Sequence, residues 1–361
     1  MQFVKPFISL LVLALAGCLI QNTELAPSKQ IDALFASLTE GVQPGAAVMV
    51  ILEGEIIHSA GYGFADLENQ VPISVDSIFR LGSVSKQFTA MAIAILAERG
   101  KLDYADPVSK YVPVLAKYNG VTIHHLLTHT SGLPDYYEAF DSSTWVAAGN
   151  LPTNADVIAY VGKMDEPMFP PGEQYVYSNP AYEVLPLIVE AVTGQRFAAF
   201  MQQEIFVPSG MTDSVIHDHR RPQIDRRVLG YSKTGNGFVL NDEDPLNGIV
   251  GSGSQFSSLN DFFHWDQAIA SQTLISEATS QQIFTRAKLN SGEEYDYGIG
   301  WRLDRYRGQR RIAHGGSWVG FRTAISRYPD RGLTVVVLMN FAESEPGVLS
   351  DRITDIYLQS E

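Results

Sequence analysis

Apolar residues set two rhythms along this chain: continuous or alternating runs near both ends, and a looser, helical spacing between them. A helix is predicted over residues 30–38. Residues 46–52 then read Ala-Ala-Val-Met-Val-Ile-Leu without a polar interruption, the pair Glu53-Gly54 marks a tight turn, and residues 56–62 resume, which predicts a β-hairpin of central strands. Residues 83–99 are rich in Ala, Ile, Met, Leu and Gln and end at Gly100, where a left-handed cap stops a helix; so apolar a helix belongs in the interior. Residues 102–291 mix short helical stretches with loops such as Phe169-Pro170-Pro171-Gly172. Strand character returns at 310–314, 321–328 and 333–339, separated by Gly-Gly and by Pro329-Asp330-Arg331-Gly332, and a last helix fits 345–358. Strands at both ends around a helical middle predict an α/β (α+β) fold: one antiparallel sheet assembled from distant segments, helices on its faces, a helical insertion over roughly 102–291, and a cleft between the two halves.

Composition narrows the function classes. With 361 residues, 45% of them hydrophobic, the chain has ample material for a packed core. It carries a net charge of −14 and no cluster of Lys and Arg able to follow a phosphate backbone, so nucleic-acid binding has no footing. No repeat, heptad run or low-complexity segment is present.

The single cysteine, Cys18, rules out an internal disulfide, a Cys-rich metal site and a cysteine nucleophile in the folded part. Its setting is informative. Lys5 precedes an apolar run over 7–16, and Leu15-Ala16-Gly17-Cys18 resembles the bacterial lipoprotein cleavage box. The run, even taken to Ile20, is shorter than the about 20 residues a spanning helix needs, and no later stretch of about 18 apolar residues offers a second span. The expected organisation is a signal peptide at 1–17, a lipidated tether at 18–29 beginning with Cys18, and a catalytic domain at 30–361. The chain would then be exported and held to the cell envelope by its lipid. The alternative is an ordinary signal peptide in which the cysteine is incidental. For a Gram-negative source, Leu19 in place of an aspartate favours the outer membrane, by analogy.

Chemistry concentrates at Ser83-Val84-Ser85-Lys86, the one Ser-x-x-Lys in the sequence. On a helix, positions i and i+3 share a face, which brings the Ser83 hydroxyl and the Lys86 amine within hydrogen-bonding reach. A serine hydroxyl is a poor nucleophile until a base takes its proton, and a lysine desolvated in an apolar pocket loses enough basicity to do so. Free N–H groups at the helix N-terminus face any developing oxyanion. Alone, the tetrapeptide also reads as a helix cap followed by a surface lysine. Two further elements raise it above chance: Tyr177-Ser178-Asn179, a Tyr-x-Asn, and His314-Gly315-Gly316-Ser317, a polar residue followed by glycines on a C-terminal strand.

In order and separation these three elements resemble the serine β-lactamase and penicillin-binding-protein family, in particular its class C β-lactamase, D,D-peptidase and esterase branch. Flanking segments carry the likeness over nearly all of the mature chain: Phe79-Arg80-Leu81-Gly82, Lys86-Gln87-Phe88-Thr89-Ala90, Leu126-Leu127-Thr128-His129-Thr130-Ser131-Gly132-Leu133-Pro134, and Tyr297-Gly298-Ile299-Gly300-Trp301. The resemblance implies a β-lactamase/transpeptidase-like fold. It makes Ser83 the acylated nucleophile and Lys86 its base. Tyr177 would relay a proton to the leaving group, with its pKa lowered by cationic or donor neighbours, and Asn179 would hold Lys86 and the substrate carbonyl. His314 would sit on the strand edge beside the cleft, Gly315 and Gly316 would let substrate approach the backbone, and the N–H groups of Ser83 and Ser317 would form the oxyanion hole. No metal or organic cofactor is implied. The lactamases of the family usually carry Lys where this chain has His314, and a histidine of pKa about 6.5 is mostly neutral at neutral pH, which puts strong β-lactamase activity in doubt.

Other features are discounted. Between His125 and His129 the sequence Leu-Leu-Thr lacks the glutamate of a metalloprotease helix. Gly61-Tyr62-Gly63 has no third glycine opening a helix, no serine stands in a Gly-x-Ser-x-Gly elbow, and Gly251-Ser252-Gly253-Ser254 reads as a cleft-side loop. The expected function is hydrolysis of an ester or amide bond in a small-molecule or peptide substrate through an acyl-enzyme on Ser83. Rivals within the class are a D,D-carboxypeptidase, a D-amino-acid amidase, an esterase and a weak β-lactamase; outside it stands a catalytically silent penicillin-binding or sensor protein.

Overall fold

The computed structural model describes residues 25–164, 166–218 and 223–358. The expected signal peptide and the Cys18 lipidation site lie outside the described residues, as does the tether up to residue 24.

The hairpin forms as the apolar run predicts. Strand β1 (Ala46–Leu52) pairs antiparallel with β2 (Glu55–Tyr62), and the two linking residues, Glu53 at φ +50° and Gly54 at φ +83°, supply the left-handed pair that a tight hairpin turn demands. Far along the chain come β3 (Arg302–Tyr306), β4 (Gln309–Trp318), β5 (Phe321–Tyr328) and β6 (Leu333–Met339). Together the six strands make one antiparallel sheet in the order β3-β4-β5-β6-β1-β2. The two sequence-distant halves join where β1 lies against β6, from Ala46 opposite Met339 to Leu52 opposite Leu333. Both joining strands are buried along nearly their whole length, hence their unbroken apolar sequences.

Side chains alternate across the sheet. Val48, Val50, Val335 and Val337 point to one face, where helix α1 (Pro27–Phe35) and the C-terminal helix α5 (Pro346–Leu358) add Ile31, Phe35 and Ile353. Ala47, Met49, Val336 and Leu338 point to the other face, into a larger core that contains helix α2 (Lys86–Glu98), helix α3 (Asn179–Thr193) and helix α4 (Leu259–Ala270). The fold is thus the expected antiparallel sheet flanked by helices.

Three details depart from the sequence expectation. The helix predicted from residue 83 opens as a 3-10 turn, Gly82–Ser85, and becomes α-helical at Lys86. Gly315-Gly316 does not separate two strands: it lies inside β4, and the chain reverses at Val319-Gly320 instead. Strand β3, whose Arg302-Leu303-Asp304-Arg305-Tyr306 carries three charges and buries only Leu303, escaped the reading from sequence; it is an edge strand.

Candidate active site

Strand β3 ends its pairing early. It covers β4 only from Gln309 to Ala313, so from His314 to Trp318 one edge of β4 is unpaired among the described residues. The 3-10 turn Gly82–Ser85 packs against this segment. Glycine is required on both sides of the contact. Gly82 has φ +53°, and a Cβ there would stand 2.7 Å from the Ser317 nitrogen; a Cβ on Gly316 would collide with the Leu81 carbonyl. Thr323 of β5 ties the approach by donating its hydroxyl to that same carbonyl at 2.6 Å. Gly316 therefore answers to the packing of the turn. Gly315 is exposed, and a Cβ there would meet only ordinary contact, 3.7 Å from the Thr323 carbonyl.

The turn places Ser83 one helical step before Lys86. The Lys86 ammonium is fully buried and donates to Ser83 Oγ at 3.1 Å, to Asn179 Oδ1 at 2.8 Å and to the Ser252 carbonyl at 2.9 Å. Asn179 reaches this point because Ser178 caps α3: the Ser178 hydroxyl accepts from the Ala181 N–H at 3.2 Å, and Asn179 becomes the first helical residue. The Ser178 N–H in turn donates to His129 Nδ1 at 3.0 Å, and the Val176 N–H to the His129 carbonyl at 3.0 Å, so His129 clamps the Tyr177-Ser178-Asn179 segment from behind. His129 holds φ +59°, and its ring stacks 4.2 Å from that of Tyr177. The Tyr177 ring lies 4.8 Å from Lys86 Nζ, close enough for a cation–π contact.

Burial moves the protonation equilibria apart. It brings the Lys86 pKa down to about 7, against a smaller upward pull from Glu183. It pushes the Tyr177 phenol up, with Ser83 and Arg302 acting weakly the other way; the expected lowering does not occur, because desolvation outweighs the neighbouring donors. His314 is buried, on a strand that is covered there by protein and not on the rim of the cleft. Its Nδ1 lies 2.8 Å from the Gly315 carbonyl and its Nε2 3.0 Å from the Tyr297 hydroxyl. A carbonyl only accepts, so Nδ1 carries the proton and Nε2 accepts from Tyr297. Burial and the nearby Lys86 bring its pKa down to about 3, so the ring is neutral at any working pH.

Ser83, Asn179 and Ser317 open onto a notch of about 30 Å³ that is also lined by Arg80, Tyr137, Ser252 and Trp318. Lys86, Tyr177 and His314 are not among the residues that line it. A much larger cavity, about 760 Å³, lies between α4, residues 277–285 and the sheet around Arg310, Arg327 and Thr334, and holds none of these groups. Three participants escaped the reading from sequence: the Ser252 carbonyl, Tyr137 and Glu183. Glu183 alone left a legible mark, an acid four residues after Asn179 on the apolar face of a helix.

A family model for β-lactamases matches residues 31–358. A penicillin-binding protein of Bacillus subtilis (strain 168) is 36% identical over 333 residues, covering 87% of this chain and 72% of the relative. Protein flp of Staphylococcus aureus (strain MRSA252) is 29% identical over 337 residues, covering 91% of this chain and 66% of its own length. Among solved structures, the octameric penicillin-binding protein homologue from Pyrococcus abyssi superposes with TM-score 0.80 at 27% identity, over 92% of this chain and 77% of that one. The D-amino acid amidase from Ochrobactrum anthropi SV3 shares the fold at TM-score 0.77 and 22% identity, over 92% and 99%.

Proposed function

The chain belongs to the β-lactamase family of serine-hydrolase-type enzymes, and on that premise we propose that it hydrolyses ester or amide bonds through an acyl-enzyme on Ser83 with Lys86 as the base. The observation that carries this reading is the geometry at Lys86 Nζ. Two of its three partners, Asn179 Oδ1 and the Ser252 carbonyl, can only accept. They fix two N–H bonds, so when the ammonium loses its third proton the lone pair faces Ser83 Oγ. With a pKa near 7 the neutral amine is well populated at neutral pH.

In the first half-reaction Ser83 Oγ bonds to the substrate carbonyl carbon as its proton passes to Lys86. The carbonyl oxygen gathers negative charge beside the N–H groups of Ser83 and Ser317, which the Gly82 approach holds together. The bond to the leaving group then breaks, and that group takes a proton delivered through Tyr177. Burial keeps Tyr177 a phenol, so it relays as a proton donor and not as a standing phenolate. In the second half-reaction a water gives its proton to the same base, its oxygen bonds to the acyl carbon, and Ser83 Oγ leaves with a proton as the acid product departs.

The substrate class follows from charge. A neutral His314 gives no fixed cation for a substrate carboxylate, which favours uncharged esters and amides, D-amino-acid amides among them, over β-lactams. The likeness to a bacterial penicillin-binding protein supports a cell-envelope enzyme, which a lipid on Cys18 would hold there. Among the described residues no single helix is long and apolar enough to cross a membrane.

The test is turnover of a short-chain p-nitrophenyl ester, a D-Ala-D-Ala peptide and nitrocefin by the purified protein and by Ser83→Ala. Turnover lost in the variant supports the proposal, and the preferred substrate names the subclass. A variant equal to wild type on whatever turns over overturns it. Silence on all three, with Ser83 still acylated by a fluorescent penicillin, would mark a binding protein instead.

A further inference from the structure

Glu183 is a fully buried acid that the two half-reactions leave without a task. It stands on α3 one turn after Asn179, and its Oε1 accepts from the Tyr137 hydroxyl at 2.6 Å and from the Ser252 hydroxyl at 2.7 Å. The backbone of the same Ser252 presents the carbonyl that receives Lys86 Nζ. The loop is held on both flanks: Thr89 of α2 donates to the Gly251 carbonyl at 2.8 Å, and Gly251 packs against the Tyr182 carbonyl, which lacks a helical donor because Pro186 stands where that N–H would be. A buried carboxylate is costly unless it serves a partner, and the cation within this network is Lys86.

We infer that Glu183 is a positioning residue for the base: through Ser252 its carboxylate fixes the amine of Lys86 toward Asn179 and Ser83, and its charge sets the pH at which Lys86 yields its proton. This rests on the reading of Lys86 as the base. The other titratable groups around Lys86 supply no compensating negative charge. His129 and His314 are held neutral by burial, and the Tyr177, Tyr182 and Tyr297 phenols are pushed up and stay protonated. Tyr136 and Tyr137 face Glu183 itself and are likewise pushed up, and Arg302 adds only positive charge. Burial raises the Glu183 carboxyl as well, while its hydrogen bonds from Tyr137 and Ser252 and the charge of Lys86 pull it back toward the carboxylate; in that form it is the group that raises Lys86, so its removal is expected to move the base downward in pH.

The experiment follows the rate at which a fluorophosphonate labels Ser83, site-mapped, from pH 5 to pH 9 in wild type, Glu183→Gln and Glu183→Asp. The wild-type rate is expected to rise through a midpoint near 7, where Lys86 loses its proton. In Glu183→Gln, which keeps the acceptor oxygen and loses the charge, the midpoint is expected about one pH unit lower or more, and Glu183→Asp should return it toward wild type. An unmoved midpoint with Ser83 still labelled overturns the inference and leaves the proposed function standing. Labelling that maps elsewhere overturns both. If Glu183→Gln loses its cooperative melt, Ser252→Ala, which removes one hydrogen bond to the carboxylate and keeps the carbonyl, reads the same midpoint, and again no shift defeats the inference.

Discussion

The two faces of the central sheet are both buried and are filled by different kinds of side chain. Under α1 and α5 the filling is Ile31, Phe35, Val48, Val50, Val335, Val337 and Ile353, with Phe35 stacked on Tyr62 at 4.9 Å. Its histidine, His58, has Ser28 at 2.9 Å, Tyr62 at 3.1 Å and Asp32 within ion-pair reach. On the opposite face the interior also buries Lys86, His129, Glu183 and His314. Apolar burial stabilises the fold directly; burying a cation, an acid and two histidines costs stability and is retained where chemistry needs shifted proton affinities. On the proposed function, the difference is a division of labour in which one face holds the sheet together and the other holds the groups whose proton affinities burial shifts.

The comparison breaks most sharply at Ser83. On the proposed reading of Ser83 as the nucleophile, Ser83→Ala should lower kcat/KM by about ten-thousand-fold or more with an unchanged melting profile. Lys86→Met comes next, with a loss of about a thousand-fold, the order assigned to a positioned general base. With Lys86 as the proposed base, active when deprotonated, wild-type kcat/KM should rise with pH through about 7, and the limb should vanish in Lys86→Met. A limb that survives in the variant belongs to another group and would remove Lys86 from the role of base.

How much of this was readable beforehand follows the range of each contact. The β1–β2 hairpin and its Glu53-Gly54 turn are local, and so is the spacing of Ser83 and Lys86, so both were legible. Tyr177, Asn179 and His314 were reached only through the family resemblance; their placement against Lys86 depends on a helix cap and on a strand edge left bare by β3. The Ser252 carbonyl was not legible at all, since a backbone group carries no residue signature and its partner is 166 positions away. The direction of the Tyr177 shift was misread for a related reason: donor neighbours are visible in sequence and depth of burial is not.

A substitution on the quiet face should separate stability from activity. Ile353→Ala, in the apolar layer between α5 and the sheet, should cost about 2–5 kcal/mol from lost burial and the cavity left behind. Per folded molecule, kcat/KM should stay within about twofold, because distant sites without shared partners act independently. Denaturant unfolding alongside turnover checks both. A large drop in turnover of the folded protein would mean that the two faces are coupled and the division is false.

Acid titration gives the finest test, because it asks which face loses stability as protons are added. His314 in the folded chain binds its proton only near pH 3, whereas in the unfolded chain it does so near 6.5. Between those values the unfolded state carries the extra proton, so stability is fully present above about 6.5 and is lost as pH falls toward 3, at up to about 1.4 kcal/mol per pH unit for one such group. His129 acts in the same direction. On the other face Asp32 pulls the His58 pKa back up against desolvation, so its contribution to the slope is smaller. Unfolding free energies measured between pH 6.5 and pH 4 should therefore fall less steeply in His314→Gln than in wild type, while His58→Gln should change the slope less. If His58→Gln flattens the curve more than His314→Gln does, the stored cost lies on the face assigned to stability, and the contrast between the two cores is reversed.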